Sequence, residues 1–285
     1  MNTNHTFYAY FNIDNPFVKW EVAIGRIRSA CDHANSPWAL SVWQFSYLKN
    51  LAANGMTAKF RNELALENIR ALHYPDEVSR LKGIFLFESN DEMHNAFVRW
   101  NVANSLRKNT STIRFSANKV SRLDSEWITH NLLRDTLEDE WMHSYWSGQT
   151  YGTNPLTEVI ASGIGIIDNI GLRQHCYREI YNEVPLSSAI LSMGAIGYHG
   201  GLESAMQAVA IIGNEKNGIY GHGYIDKSEI EELPTSDWHS IIERCNAEGT
   251  NFPVHPKAQN SKVFEIPALV QRFELSDHVA SQLMS

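Results

Sequence analysis

Residues 145–163 read Tyr145-Trp146-Ser147-Gly148-Gln149-Thr150-Tyr151-Gly152-Thr153-Asn154-Pro155-Leu156-Thr157-Glu158-Val159-Ile160-Ala161-Ser162-Gly163. A turn rich in aromatics and glycine runs into a short apolar strand, and one acid, Glu158, stands at the start of that strand. A carboxylate in an apolar strand costs free energy unless a partner or a task holds it there. Gly148 and Gly152 loosen the backbone, Tyr145, Trp146 and Tyr151 offer flat rings, and the strand carries the carboxylate. Together these are what a site for a planar ligand requires. The competing reading is an edge strand whose Glu158 faces water.

Working outward, Phe7–Ile13 reads as a first strand stopped by Asp14-Asn15-Pro16. Val22–Cys31 and Val42–Ala53 look mixed to helical. Leu64, Leu66, Ile69 and Leu72 recur at near-helical spacing among charges, which predicts an amphipathic helix over Ala58–His73. Ile84–Phe87 reads as a strand, and Ser89 caps a helix reaching about Val102. Thr112–Phe115 and Glu158–Ile167 read as strands, and Ser125–Glu138 as a helix. Beyond residue 170 the pattern turns helical at Leu172–Tyr181, Ser187–Met193, Leu202–Ile212 and Trp238–Asn246. Gly-rich turns at Gly194–Gly201 and Gly213–Gly223 join these pieces, and Val263–Phe264 is the one strand expected among them. The boundary is therefore placed near residue 170, with a mixed module before it and a mostly helical region after it.

The 285 residues are enough for a real core, with 43% hydrophobic and 20% charged residues. A net charge of −8 argues against a globally basic nucleic-acid binder. One local anomaly stands against it: Arg99, Arg107, Lys108, Arg114, Lys119 and Arg122 follow one another with no acid between them. Such a run makes either a phosphate-binding face or a solvated one. Cys31, Cys176 and Cys245 form no CxxC pair, which fits a reducing compartment. The first residues show no basic patch before an apolar run, and the longest apolar stretches are too short for a bilayer. A cytoplasmic protein without membrane contact is the expectation. The 12 histidines show no HExxH, and no GxGxxG, P-loop or Gly-x-Ser-x-Gly elbow occurs, so no metal is expected.

Three segments occur in a familiar order: Tyr10-Phe11-Asn12-Ile13-Asp14, Tyr74–Ser89 with Ser79-Arg80 before the apolar Ile84–Phe87, and Tyr145–Gly163. Over residues 7–170 the chain resembles the ADP-ribosyltransferase superfamily, in particular a bacterial and phage branch of toxin-like members. That resemblance implies an α+β fold, with a split antiparallel sheet core and helices in residues 1–170; residues 171–285, which the resemblance does not cover, are expected from their pattern to form a helical accessory region. It implies NAD+ as substrate, cleaved between nicotinamide and ribose through an oxocarbenium-like transition state. A carboxylate beside the ribose favours the charge that develops there.

By the same resemblance Glu158 is the catalytic carboxylate and can also activate the acceptor as a base. Ser79 orders the site, and Arg80 either holds the cofactor's phosphates or orients Glu158. Asn12 stands where relatives have His and is matched to a ribose hydroxyl. Tyr10, Tyr145 and Trp146 are matched to stacking against nicotinamide or packing beneath it. Leu156 occupies the position two before the catalytic acid, where arginine-modifying members carry Glu, so the acceptor is expected to be RNA or a non-arginine protein side chain. A neutralising antitoxin-like partner is expected of a self-harming activity. The alternatives are an NAD+ glycohydrolase and a binding protein that keeps the fold without the chemistry.

Overall fold

The computed structural model describes residues 2–30, 39–134, 139–185, 187–215, 218–247 and 271–274. In chain order the first part contains β1 (Thr3–Tyr10), α1 (Pro16–Ile24), β2 (Arg26–Arg28), β3 (Ala39–Leu40), α2 (Val42–Ala53), α3 (Thr57–His73) and β4 (Ile84–Leu86). There follow α4 (Asn90–Arg99), α5 (Asn104–Arg107), β5 (Thr110–Asp124), α6 (Glu126–Asn131), α7 (Glu140–Trp146) and β6 (Thr157–Ile167). The last part holds α8 (Ile170–Glu183), α9 (Ser187–His199), β7 (Gln207–Glu215), β8 (Gly218–Asp226), α10 (Ser228–Glu231), α11 (Thr235–Ala247) and β9 (Gln271–Glu274). The fold is α+β with antiparallel sheets.

Local chemistry starts the helices, α1 earlier than the Val22–Cys31 reading and ending before β2. Asn15 Oδ1 accepts from the backbone of Phe17 at 2.9 Å and of Val18 at 3.5 Å, and Pro16 takes the first turn of α1. Ser41 and Ser89 cap α2 and α4 in the same way. The first sheet runs β1-β5-β6-β2, with β4 also on β6. β6 changes partner along its length: Val159–Ala161 pair with β4, and Ile164–Ile166 pair with β2. Gly163 sits at the changeover, opposite a register shift in β5 between Ala117 and Lys119. Its φ of +142° favours glycine, and a Cβ there would lie 2.1 Å from the Ser116 carbonyl oxygen. A Tyr8–Phe87 bridge returns the end of β4 to β1.

The second sheet, β3-β7-β8-β9, corrects the expectation of a mostly helical C-terminal region. The predicted helix over Leu202–Ile212 is largely β7, and the predicted Gly213–Gly223 turn is mostly the end of β7 and the start of β8. Ala208, Val209, Ala210 and Ile212 are all buried. A strand covered on both faces has a continuous apolar run, which periodicity cannot tell from a helix. The β8 glycines admit neighbours rather than turn the chain: a Cβ on Gly223 would lie 2.5 Å from the Phe17 ring, and one on Gly221 would lie 2.0 Å from Phe273. Helices α8, α9 and α11 do form as the sequence predicts. Val263–Phe264 lies outside the described residues.

Residue 170 marks no seam in the core. Trp20 Nε1 donates to the Met206 carbonyl at 2.8 Å. Arg26, wholly buried, pairs with Glu21 at 2.6 Å and reaches the Glu203 and Ala205 carbonyls. One apolar cluster runs from Phe7 to Phe273 across both sheets. Among the described residues no helix is long and apolar enough to cross a membrane.

Candidate functional site

A cleft of about 830 Å³ opens beside β6, lined among others by Glu158, Arg80, Glu63, Tyr47, Gln44 and Tyr10. Its volume is within the usual range for a ligand site. β6 places Glu158 opposite Leu123 of β5. Arg80, in the turn before β4, donates from Nη1 to Glu158 Oε1 at 2.9 Å and to the Tyr145 hydroxyl at 2.8 Å. Tyr145 in turn donates to the same Oε1 at 2.9 Å. On its other edge Arg80 grips Glu63 of α3 through Nε and Nη2, both at 3.2 Å. One guanidinium thus lies between two carboxylates, all three at most 6% exposed, with its Cζ 5.0 Å from the centre of the Phe85 ring.

Burial sets the electrostatics. It pushes the Glu158 carboxyl above its ordinary value, against the pull of Arg80 and the Tyr145 hydrogen bond. Burial alone would lower Arg80, but Glu63, Tyr145 and Glu158 more than offset it, so Arg80 stays cationic. Burial likewise raises the Tyr145 hydroxyl well above its usual range, which keeps it a donor toward Glu158. The arrangement can hold a proton-accepting carboxylate, aim one of its oxygens, and place fixed charge beside a bound ligand.

The sequence-derived residues fall into two sets. Glu158, Arg80, Tyr10 and Asn12 line the cleft. Tyr10 packs against Phe87 and Phe97. Asn12 lies past the end of β1, where its Oδ1 accepts from the Asp14 backbone. Ser79, Tyr145 and Trp146 do not line it. Ser79 Oγ accepts from Lys82 N at 3.3 Å, a turn contact. Tyr145 and Trp146 belong to the last turn of α7 rather than to an open loop, and both are buried. The expectation that their rings stack on a ligand is corrected: Trp146 Nε1 bonds the Leu66 carbonyl in the core, and Tyr145 reaches the site only through its hydroxyl.

Five of the six cations in the basic run have partners within the chain. Arg114 pairs with Asp168, Lys119 with Asp76, Arg122 with Glu88 and Arg99 with Glu126, while Arg107 bonds the Val102 and Phe97 carbonyls. Among the described residues no cluster of three His, Cys, Asp or Glu could hold a metal ion. Cys176 is buried, and burial raises its thiol to about 12; Cys31 lies outside the described residues.

Sequence reading missed Glu63. Its signal was present: Phe60, Glu63 and Leu66 follow at helical spacing on one face of α3, and all three are buried. A charge in an apolar stripe needs a partner, and Arg80 is that partner.

The family described as "Protein of unknown function (DUF2441)" matches residues 2–171. The chain belongs to this family. The match covers β1 through β6 and every charged residue of the Glu63–Arg80–Glu158 cluster. No curated protein matches the chain.

Proposed function

We propose that this DUF2441 member transfers ADP-ribose from NAD+ to a macromolecular acceptor, using the split antiparallel sheet as an ADP-ribosyltransferase-like scaffold. The observation that carries the reading is the placement of Glu158: strand-borne, at the cleft wall, with both hydrogen bonds to its carboxylate falling on Oε1. In the reaction the bond between ribose carbon and nicotinamide nitrogen breaks, its electron pair leaving with nicotinamide. The acceptor's lone pair forms the new bond to the ribose carbon, and its proton passes to Glu158. The carboxylate's charge favours the oxocarbenium-like transition state between these events. Arg80 and Tyr145 aim Glu158 and are positioning residues.

Leu156 supports a non-arginine acceptor. It packs in a small apolar cluster with Phe87, Met93, Ala96 and Phe97, so no acceptor-side acid stands two residues before Glu158. The same feature keeps water available as a second acceptor, which would make the chain an NAD+ glycohydrolase. Incubation with labelled NAD+ and a cell lysate separates these. Label on RNA or protein supports transfer, and free ADP-ribose alone supports hydrolysis. Glu158→Gln is expected to lower nicotinamide release by 100-fold or more, on the order of the loss seen when one charge-stabilising group is removed, with NAD+ binding retained. A variant with full turnover would refute the reading.

A further inference from the structure

We propose that the face of α2 carrying Trp43, Gln44 and Tyr47 is a ligand subsite, in which the Gln44 amide pairs edge-on with a planar group offering an N–H donor beside an acceptor. The inference rests on the NAD+ reading above and assigns a place to one end of that substrate.

Gln44 lines the cleft and is only 4% exposed, yet its amide nitrogen is buried without a hydrogen-bond partner among the described residues. Its backbone is anchored, since Gln44 N donates to the Ser41 cap of α2 at 3.2 Å. Buried side-chain donors are nearly always satisfied, so this one, on a residue that lines the cleft, points to an absent acceptor. A primary amide has a donor and an acceptor side by side, the pattern by which Gln reads the edge of an adenine.

The neighbours of Gln44 suit a flat ligand. Trp43 and Tyr47 are four residues apart on one helix face, half-buried, and both line the cleft. Trp43 is braced by Phe11, the ring centroids 6.5 Å apart at a tilt of 53°. Tyr47 ties this face to the charged cluster: after burial, the charges of Glu63 and then Arg80 are what its hydroxyl feels most. The subsite is therefore continuous with the Glu158 site. It also supplies the accessible rings that Tyr145 and Trp146 do not.

NAD+ carries two edges of this chemistry, the nicotinamide carboxamide and the amino edge of adenine, and its two halves can be tested apart. Binding of nicotinamide, of ADP-ribose and of NAD+ to the full chain would be measured by calorimetry for wild type and Gln44→Leu, with a thermal melt of each. The expected result is a loss of about tenfold in affinity for one half and no more than about twofold for the other, the size of one good hydrogen bond. Loss confined to nicotinamide assigns the carboxamide, and loss confined to ADP-ribose assigns the adenine. Unchanged affinity for both halves overturns the subsite, as does an equal loss for both, which a packing defect would produce. Wild type that binds none of the three ligands refutes the NAD+ reading and the subsite with it. If Gln44→Leu fails to melt cooperatively, Gln44→Met, unbranched and of similar length, serves in the same assay.

Discussion

Replacing Arg80 by Met tests whether one cation holds this site together. The change keeps apolar volume but removes four hydrogen bonds: two to Glu63, one to Glu158 and one to Tyr145. Glu63 at 1% and Glu158 at 6% exposure are then left in the interior without their counter-charge. Breaking a buried ion pair from one side costs about 3–5 kcal/mol, a large share of the roughly 5–15 kcal/mol that holds a domain folded. The loss should depend on pH in a definite direction. Burial already holds the folded Glu158 above its ordinary value of 4.5, and losing Arg80 moves it further up. Above 4.5 the folded state then keeps a proton that the unfolded chain releases, so stability falls as pH rises. Urea unfolding of Arg80→Met should show its deficit smallest near about pH 5 and largest near about pH 8. Adding Glu63→Gln removes one of the stranded charges and should recover more than the ~0.5 kcal/mol scatter of additive pairs. A deficit below about 1 kcal/mol without pH dependence, the level of an exposed pair, would refute the reasoning.

Other outcomes follow from the same geometry. Gly163→Ala puts a Cβ 2.1 Å from the Ser116 carbonyl oxygen at a left-handed φ, so backbone strain alone should cost about 1–3 kcal/mol; an unchanged urea midpoint would count against the assigned changeover in β6. A fragment ending at residue 170 exposes Trp20 and leaves Arg26 without the Glu203 and Ala205 carbonyls. It should show no cooperative melt by circular dichroism, and a sharp two-state transition would restore the independent-domain boundary. His199 is pushed down to about 4 from 6.5, first by burial and then by Arg173. Between those values the unfolded chain binds a proton that the folded one refuses, so this contribution to stability is lost as pH falls from 6.5 toward 4. His199→Gln should flatten that slope in a series of urea titrations, and an identical slope would exclude His199 as its source.

Signals that act within one turn or one strand were readable before folding. The Ala58–His73 periodicity became Thr57–His73, Ser89 capped its helix, and Glu158 opened a strand that runs on to Ile167. Caps and periodicity depend on groups a few residues apart, so the sequence alone determines them. What it could not determine is which buried face meets which. Glu63 and Arg80 lie 17 residues apart, and Arg80 and Glu158 lie 78 apart, on a helix, a turn and a strand whose meeting depends on the whole core. The same limit hid β7, whose run of apolar residues suits either element until α1, α2 and the strands beside it occupy the space. Tyr145 and Trp146 show the limit at the candidate site: composition drew attention to both rings, but only packing decided that one would lend its hydroxyl to Glu158 and the other would fill the core. Residue type sets what a side chain can bond. Its partner is set by tertiary contact, because a buried charge takes whichever counter-charge the fold brings within reach.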